Sequence, residues 1–375
     1  MLKKIYIISD KEDIRSLLPF FEELQRKNFS LSFFFSNPKL IKLKEEKKIK
    51  IKKITKILND GGKIKNLTLK FIAPFLSLIL IPYLFYLKRK KNIQIFILWS
   101  KSAKIILRIP LKFIKIKNIW IENDFSEKKL RTFSKKTIRL CFSNEIRNQL
   151  IKSGVKKEQI KLLLPALHIK DTKRQDNIFN NLARENWEKN QSISKKSNFF
   201  SIGTFADLNS ETNLENIFLA IKKSLDVIPN IQLIIIGDGK NRKELTWLSQ
   251  KMKINNLVWF IGEQKHLGKW LEAFDLFIPA CLKANLKDFE IILKILYAKI
   301  PVISPNNIGL NDLIKNNKTG IITEKENSEE ILKAIIKLKK DNDFRKQLGH
   351  NSFLSAQENF NIGRMINDFI KIIEE

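Results

Sequence analysis

The chain has two cysteines in 375 residues, Cys141 and Cys281, far apart in sequence. That excludes a disulfide framework and suits a reducing cytoplasm. No zinc-ligand spacing, P-loop or Ser-His-Asp order occurs, so no metal or other cofactor is expected. The opening residues Met1–Ser9 lack the apolar run and small-residue cleavage site of a signal peptide and read as a first strand. No short internal repeat is visible. Acidic residues are missing where they would matter most: none occurs between Asp60 and Glu122.

What is present is a basic protein of +31 formal charge. The charge is uneven. Residues 1–200 hold 46 Lys+Arg against 17 Asp+Glu, and residues 201–375 hold 24 against 22. Ile, Lys, Asn and Phe are over-used, as an AT-rich genome produces, but such a bias loads both halves alike. The N-terminal half is therefore expected to face something acidic. A chain of this length suits two domains.

Short apolar runs alternate with helical patterns. Strands are expected at Ile5–Ser9, Leu31–Phe35, Ile93–Trp99, Ile119–Ile121 and Thr137–Phe142. Residues 11–27 are helical in pattern, with Pro19 interrupting them. Polar residues 171–197 read as a linker. A second series follows, with strands at Phe199–Ile202, Ile231–Ile236, Leu257–Ile261, Leu276–Ile278 and Pro301–Ser304. Strands alternating with helices imply parallel sheets.

The second series carries ordered landmarks. They are Ser201-Ile-Gly203, the helix from Asn213 to Ala220, Ile231 to Gly237-Asp238-Gly239, Val258 to Gly262, Asp275 to Pro279, Ala298-Lys-Ile-Pro301-Val302-Ile303, and Gly320-Ile-Ile. In this order they resemble the C-terminal domain of the family-four glycosyltransferases, which have the GT-B fold. The resemblance covers about residues 199–355; residues Ser143 to Pro165 match the end of the family's first domain loosely. It implies an α/β protein of two Rossmann-like domains facing a central cleft. The expected division is an acceptor-side domain over 1–172, a linker over 173–197, a nucleotide-sugar domain over 198–355, and a C-terminal helix, 356–375, crossing back to the N-terminal domain. The nucleotide-sugar is a co-substrate.

The donor-binding positions implied are Gly203, Thr204, Thr212, Gly237, Asp238, Gly239, Gly262, His266, Leu286 and Lys294. Glycines let the backbone approach, and helix N-termini at the C-terminal edge of a parallel sheet favour a diphosphate. Several of these positions depart from the family. Thr204 stands where family members have Arg, and Thr212 where they have Lys. Leu286 and Lys294 stand where they have two Glu spaced E-x7-E. The family's acceptor-domain His should fall near Glu122 or Asn123. Losing two charged phosphate contacts costs roughly 3–6 kcal/mol, about two to four powers of ten in affinity. Asp288 and Glu290 are the candidate carboxylates that replace the lost pair; the alternative is that Asp288 caps a helix and Glu290 sits in its first turn. Gly237-Asp238-Gly239 lines a nucleoside pocket or is a tight turn. His266 touches a phosphate or is a solvated loop residue. Asp341-Asn342-Asp343 spells a metal-binding D-x-D but precedes a helix, which suits a cap.

The acid-free stretch holds the apolar run Phe71–Leu87 before Lys88-Arg-Lys-Lys91. Three readings stand: a helix on the first sheet grazing a membrane, a buried core helix, or a bilayer span, for which 17 residues and two prolines are marginal. Flanking cations suit an anionic membrane surface. Three functions follow. One is a cytoplasmic glycosyltransferase, peripheral to the inner face of the plasma membrane, acting on an envelope glycan or lipid-linked acceptor. The second is a catalytically inactive GT-B scaffold. The third is a nucleic-acid-binding protein.

Overall fold

A computed structural model describes residues 3–9, 12–35, 51–53, 80–114, 116–122, 137–167, 199–209, 212–264, 267–306 and 309–375. The chain divides into two compact units: Met1–Leu164 with Met365–Glu375, and Pro165–Arg364. The stretch 173–197 expected as a linker lies outside the described residues.

The first unit holds a parallel seven-stranded sheet. Its strands are β1 (Lys3–Ser9), β2 (Phe29–Phe35), β3 (Ile51–Lys53), β4 (Ile93–Leu98), β5 (Lys117–Glu122), β6 (Thr137–Cys141) and β7 (Ile160–Leu162), in the order β3-β2-β1-β4-β5-β6-β7. This is a doubly wound, Rossmann-like order that reverses between β1 and β4. Helices α1 (Leu18–Arg26), α2 (residues 80–91), α3 (Lys101–Ile114) and α4 (Asn144–Lys152) connect the strands. Pro19 does not interrupt a helix. A 3-10 turn over Glu12–Leu17 comes first, and Pro19 sits in the opening turn of α1. There its missing N–H costs nothing, because the first amides have no partner in the helix. Leu84 and Leu87 of α2 join Ala103, Leu107 and Leu111 of α3 against Phe96, Leu98 and Trp120.

The second unit repeats the plan. Its elements are β8 (Phe200–Phe205), α5 (Leu214–Ser224), β9 (Ile231–Ile236), α6 (Arg242–Lys251), β10 (Val258–Gly262), α7 (Gly268–Leu271), β11 (Leu276–Phe277), α8 (Leu286–Tyr297), β12 (Ile303–Pro305), β13 (Ile321–Thr323), α9 (Ser328–Lys340) and α10 (Asn342–Asn359). Four strands pair as β10-β9-β8-β11, and a parallel bridge from Phe277 to Val302 carries the sheet on to β12 and β13. The order again reverses beside the first strand, here between β8 and β11. All six residues of β9 are buried, as expected of a parallel strand covered on both faces.

The last helix, α11 (Ile362–Glu374), closes the first unit although it ends the chain. The Phe369 ring meets Phe20 edge-on at 5.3 Å. The ammonium of Lys117 donates to the carbonyl of Ile373 at 2.9 Å, and Lys3 pairs with Glu374 at 2.9 Å. Cations at a helix C-terminus answer its partial negative charge. Among the described residues no helix is long and apolar enough to cross a membrane. Residues 80–87 of the apolar run are helical and continue straight into Lys88–Lys91; residues 71–79 lie outside the described residues.

Candidate functional site

The site lies at the C-terminal edge of the second sheet. The turns after β8 and β9 are fastened backbone to backbone. The amide of Ala206 donates to Ile236 O (3.0 Å), Leu208 to Asp238 O (3.2 Å) and Asn241 to Leu208 O (3.0 Å). Glycine makes this approach possible. Gly237 has φ +140°, and a Cβ there would lie 1.9 Å from the carbonyl oxygen of Ala206. A Cβ on Gly239 would meet the backbone of Leu208 and Asn209 at 2.4 and 2.5 Å. The Gly237-Asp238-Gly239 segment is therefore a tight turn packed on its neighbour. Asp238 accepts from Arg242 Nη1 at 3.0 Å, and Arg242 also reaches Phe260 O at 3.1 Å. Gly237 N donates to Gly262 O at 2.9 Å, which brings β10 to the same edge.

The turn after β8 also meets the turn after β11. Thr212 bridges Cys281, and the amide of Asn213 donates to Ala280 O at 2.8 Å. Across from it, the ammonium of Lys287 lies 5.1 Å from the centre of the Phe205 ring, at the end of β8. Thus α5 and α8 both begin at the reversal point of the sheet. The positive ends of two helices converge there, an arrangement that favours anionic groups in such folds.

Two buried polar groups at this edge lack a hydrogen-bond partner: Thr204 Oγ1 and Asn213 Nδ2. Thr204 is 0% exposed and Asn213 1%. An unmatched buried donor or acceptor costs about 1–3 kcal/mol, so native proteins rarely keep one without a use. Asn213 is the more telling, because it precedes the first residue of α5.

Some expected residues are placed differently. Gly203 lies inside β8, and the space beside it is filled by the Phe274 ring, 2.4 Å from where a Cβ would be. Its glycine serves packing against the protein, and the landmark does not report a backbone open to ligand. Asp288 is not the N-cap of α8. Asn285 is, accepting from the amides of Lys287 (2.8 Å) and Asp288 (3.1 Å), while Asp288 accepts from Asn285 N at 2.9 Å. This reciprocal capping box moves the helix start three residues earlier than a cap at Asp288 allows. Glu290 sits one residue beyond the first turn and pairs with Lys294 at 2.8 Å. Leu286 is buried in the core at the first helical position. Neither candidate carboxylate is therefore uncommitted, and Lys294 neutralises Glu290. Asp341 caps α10 through Phe344 N at 2.8 Å. His266 lies outside the described residues.

Lys287 was not singled out by sequence reasoning, although a signal existed. A cation in the first turn opposes the helix dipole by about 0.3–1 kcal/mol, so its presence there asks for a compensating contact. With the start of α8 placed at Asp288, Lys287 falls outside the helix and the conflict is invisible.

Residues 184–354 match the model of the family described as glycosyl transferases group 1. This part of the chain, the second unit, is thus similar to the group 1 glycosyltransferases. An uncharacterized glycosyltransferase of Methanocaldococcus jannaschii is 28% identical over 165 residues, 43% of this chain and 41% of that protein. The chain thus matches less than half the length of that relative. Among solved structures, a glycosyltransferase from Rickettsia africae superposes with a TM-score of 0.81 at 15% identity, covering 99% of this chain and 98% of the other. The Anabaena protein HepE, solved with UDP and glucose, gives 0.76 at 16% identity with full coverage of both chains. These likenesses show the fold.

Proposed function

We propose that this protein is a glycosyltransferase that moves a sugar from a nucleotide-sugar to an envelope glycan or lipid-linked acceptor at the inner face of the plasma membrane. One observation carries the reading. The N-termini of α5 and α8, the unpartnered side-chain Nδ2 of Asn213 and the ammonium of Lys287 meet at the reversal point of a domain similar to the group 1 glycosyltransferases. The diphosphate of the donor fits that chemistry. Lys287 takes over the charge that the family's Arg and Lys supply elsewhere, and Asn213 Nδ2 gains the acceptor it lacks.

The same groups serve the reaction. As the bond between sugar and diphosphate breaks, negative charge builds on the leaving phosphate oxygen. Helix N-termini and Lys287 are fixed against that charge before the reaction begins. Asp288 and Glu290 are held in a capping box and an ion pair, so no free carboxylate is assigned as a base. Catalysis rests on positioning and on stabilising the departing diphosphate.

Incubating the full chain with a panel of nucleotide-sugars, UDP-glucose first, checks this directly. The expected result is slow release of the nucleoside diphosphate by donor hydrolysis, faster with bacterial membrane extract as acceptor source. The committed carboxylates favour a second reading, a binding scaffold of the same fold. Saturable nucleotide binding with no release from any donor, extract included, would select the scaffold.

A further inference from the structure

The outer face of α2 is aromatic and basic, and this is not what a solvated helix carries. Leu84 and Leu87 point into the core. Pro82, Tyr83, Phe85, Tyr86, Arg89 and Lys90 are exposed and, at 3.6 residues per turn, share one arc of about 160°. Tyr83 is 52% exposed, Tyr86 47% and Phe85 39%. Lys88 Nζ donates to Ile114 O at 2.8 Å, which fastens α2 beside the end of α3. There Phe113 is 61% exposed, next to exposed Lys112. Four of the nine large apolar side chains exposed among the described residues thus belong to these two helices, within a stretch that has no acidic residue at all.

Scattered exposed apolar residues are ordinary, but a cluster of this kind marks an interaction surface. Its chemistry selects the partner. Tyrosine rings with polar tips beside Lys and Arg suit the headgroup layer of a membrane, where the ring is half in hydrocarbon and the cation meets phosphate. The ammonium of Lys90 lies 5.5 Å from the Tyr86 ring, so ring and charge present together. We infer that the outer arc of α2 with the end of α3 docks this protein on an anionic bilayer, lying on the surface without spanning it. The inference rests on the membrane location proposed above and names the element responsible.

The full-length protein is sedimented with vesicles of phosphatidylcholine alone and of phosphatidylcholine mixed with phosphatidylglycerol. Binding is expected with the mixed vesicles and weak with the neutral ones. Two cations contribute about fivefold each, so Arg89→Ala with Lys90→Ala should weaken it by about thirtyfold. Tyr83→Ser with Tyr86→Ser should lower binding to both vesicle types. All four positions are exposed, so circular dichroism and nucleotide titration should stay as in the wild type. That separates a failure of docking from a failure of the sugar-transfer reading. Absence of wild-type binding to anionic vesicles overturns the inference, and so does binding that both double variants leave intact. Steep salt-dependent binding to single-stranded RNA in place of vesicles would assign the patch to nucleic acid instead.

Discussion

Lys287→Glu is expected to weaken nucleoside-diphosphate binding by about two powers of ten or more. A charge-assisted hydrogen bond to phosphate is worth roughly 1.5–3 kcal/mol, and a carboxylate in its place adds repulsion of the same sign. The substitution is chosen because it should leave the fold alone. Lys287 is exposed, and an acid in the first turn of α8 agrees with the helix dipole where lysine opposes it. Thermal stability should therefore hold or rise slightly while affinity falls. Calorimetric titration beside a melting curve reads both. Unchanged affinity would mean that the ammonium over Phe205 does not face the ligand. Lys287→Arg, which keeps the charge, should retain most of the binding.

Glu122→Ala is expected to cost the first unit about 3–5 kcal/mol. The carboxylate ends β5, 14% exposed, between Lys104 Nζ at 3.2 Å and Arg139 Nη1 at 2.7 Å, whose side chains are 5% and 3% exposed. Lys104 also donates to Ile121 O at 2.6 Å, and the Arg139 guanidinium lies over the Trp120 ring at 5.0 Å. Nearby Arg108 is already held below the ordinary arginine range, by burial first and then by Arg139. Removing this carboxylate from such a setting strips buried positive charge of a close counter-ion, which is far costlier than losing an exposed pair. Denaturant unfolding measures the loss. A change within about 1 kcal/mol would place the pair among ordinary surface bridges. Glu122, near which the resemblance places the family's acceptor-domain histidine, is a structural carboxylate, committed to two cations.

The alternation of strands and helices was plain in the sequence because parallel strands covered on both faces read as unbroken apolar runs, as in Ile231–Ile236. Helix starts were harder. Asn and Asp cap equally well, so Asn285 and Asp288 compete as the start of α8, and only the reciprocal bonds decide between them. That error hid Lys287. Pro19 misled for a related reason: it breaks a helix interior and opens a helix start, and local pattern does not say which applies. The glycine landmarks are visible in the sequence but the reason for them is not: Gly203 and Gly237 are small to admit Phe274 and the Ala206 carbonyl. Contacts between distant segments are invisible to local pattern, and they alone give these glycines their reason.

The central claim is that the edge formed by the turns after β8, β9 and β11 binds a nucleoside diphosphate, with Lys287 and the N-termini of α5 and α8 supplying the positive charge. Calorimetric titration of the purified wild-type chain with UDP, GDP and ADP tests it most directly. The account predicts saturable one-to-one binding of at least one of them in the millimolar range or tighter, weakened by added salt. No saturable heat from any of the three at millimolar ligand would contradict it.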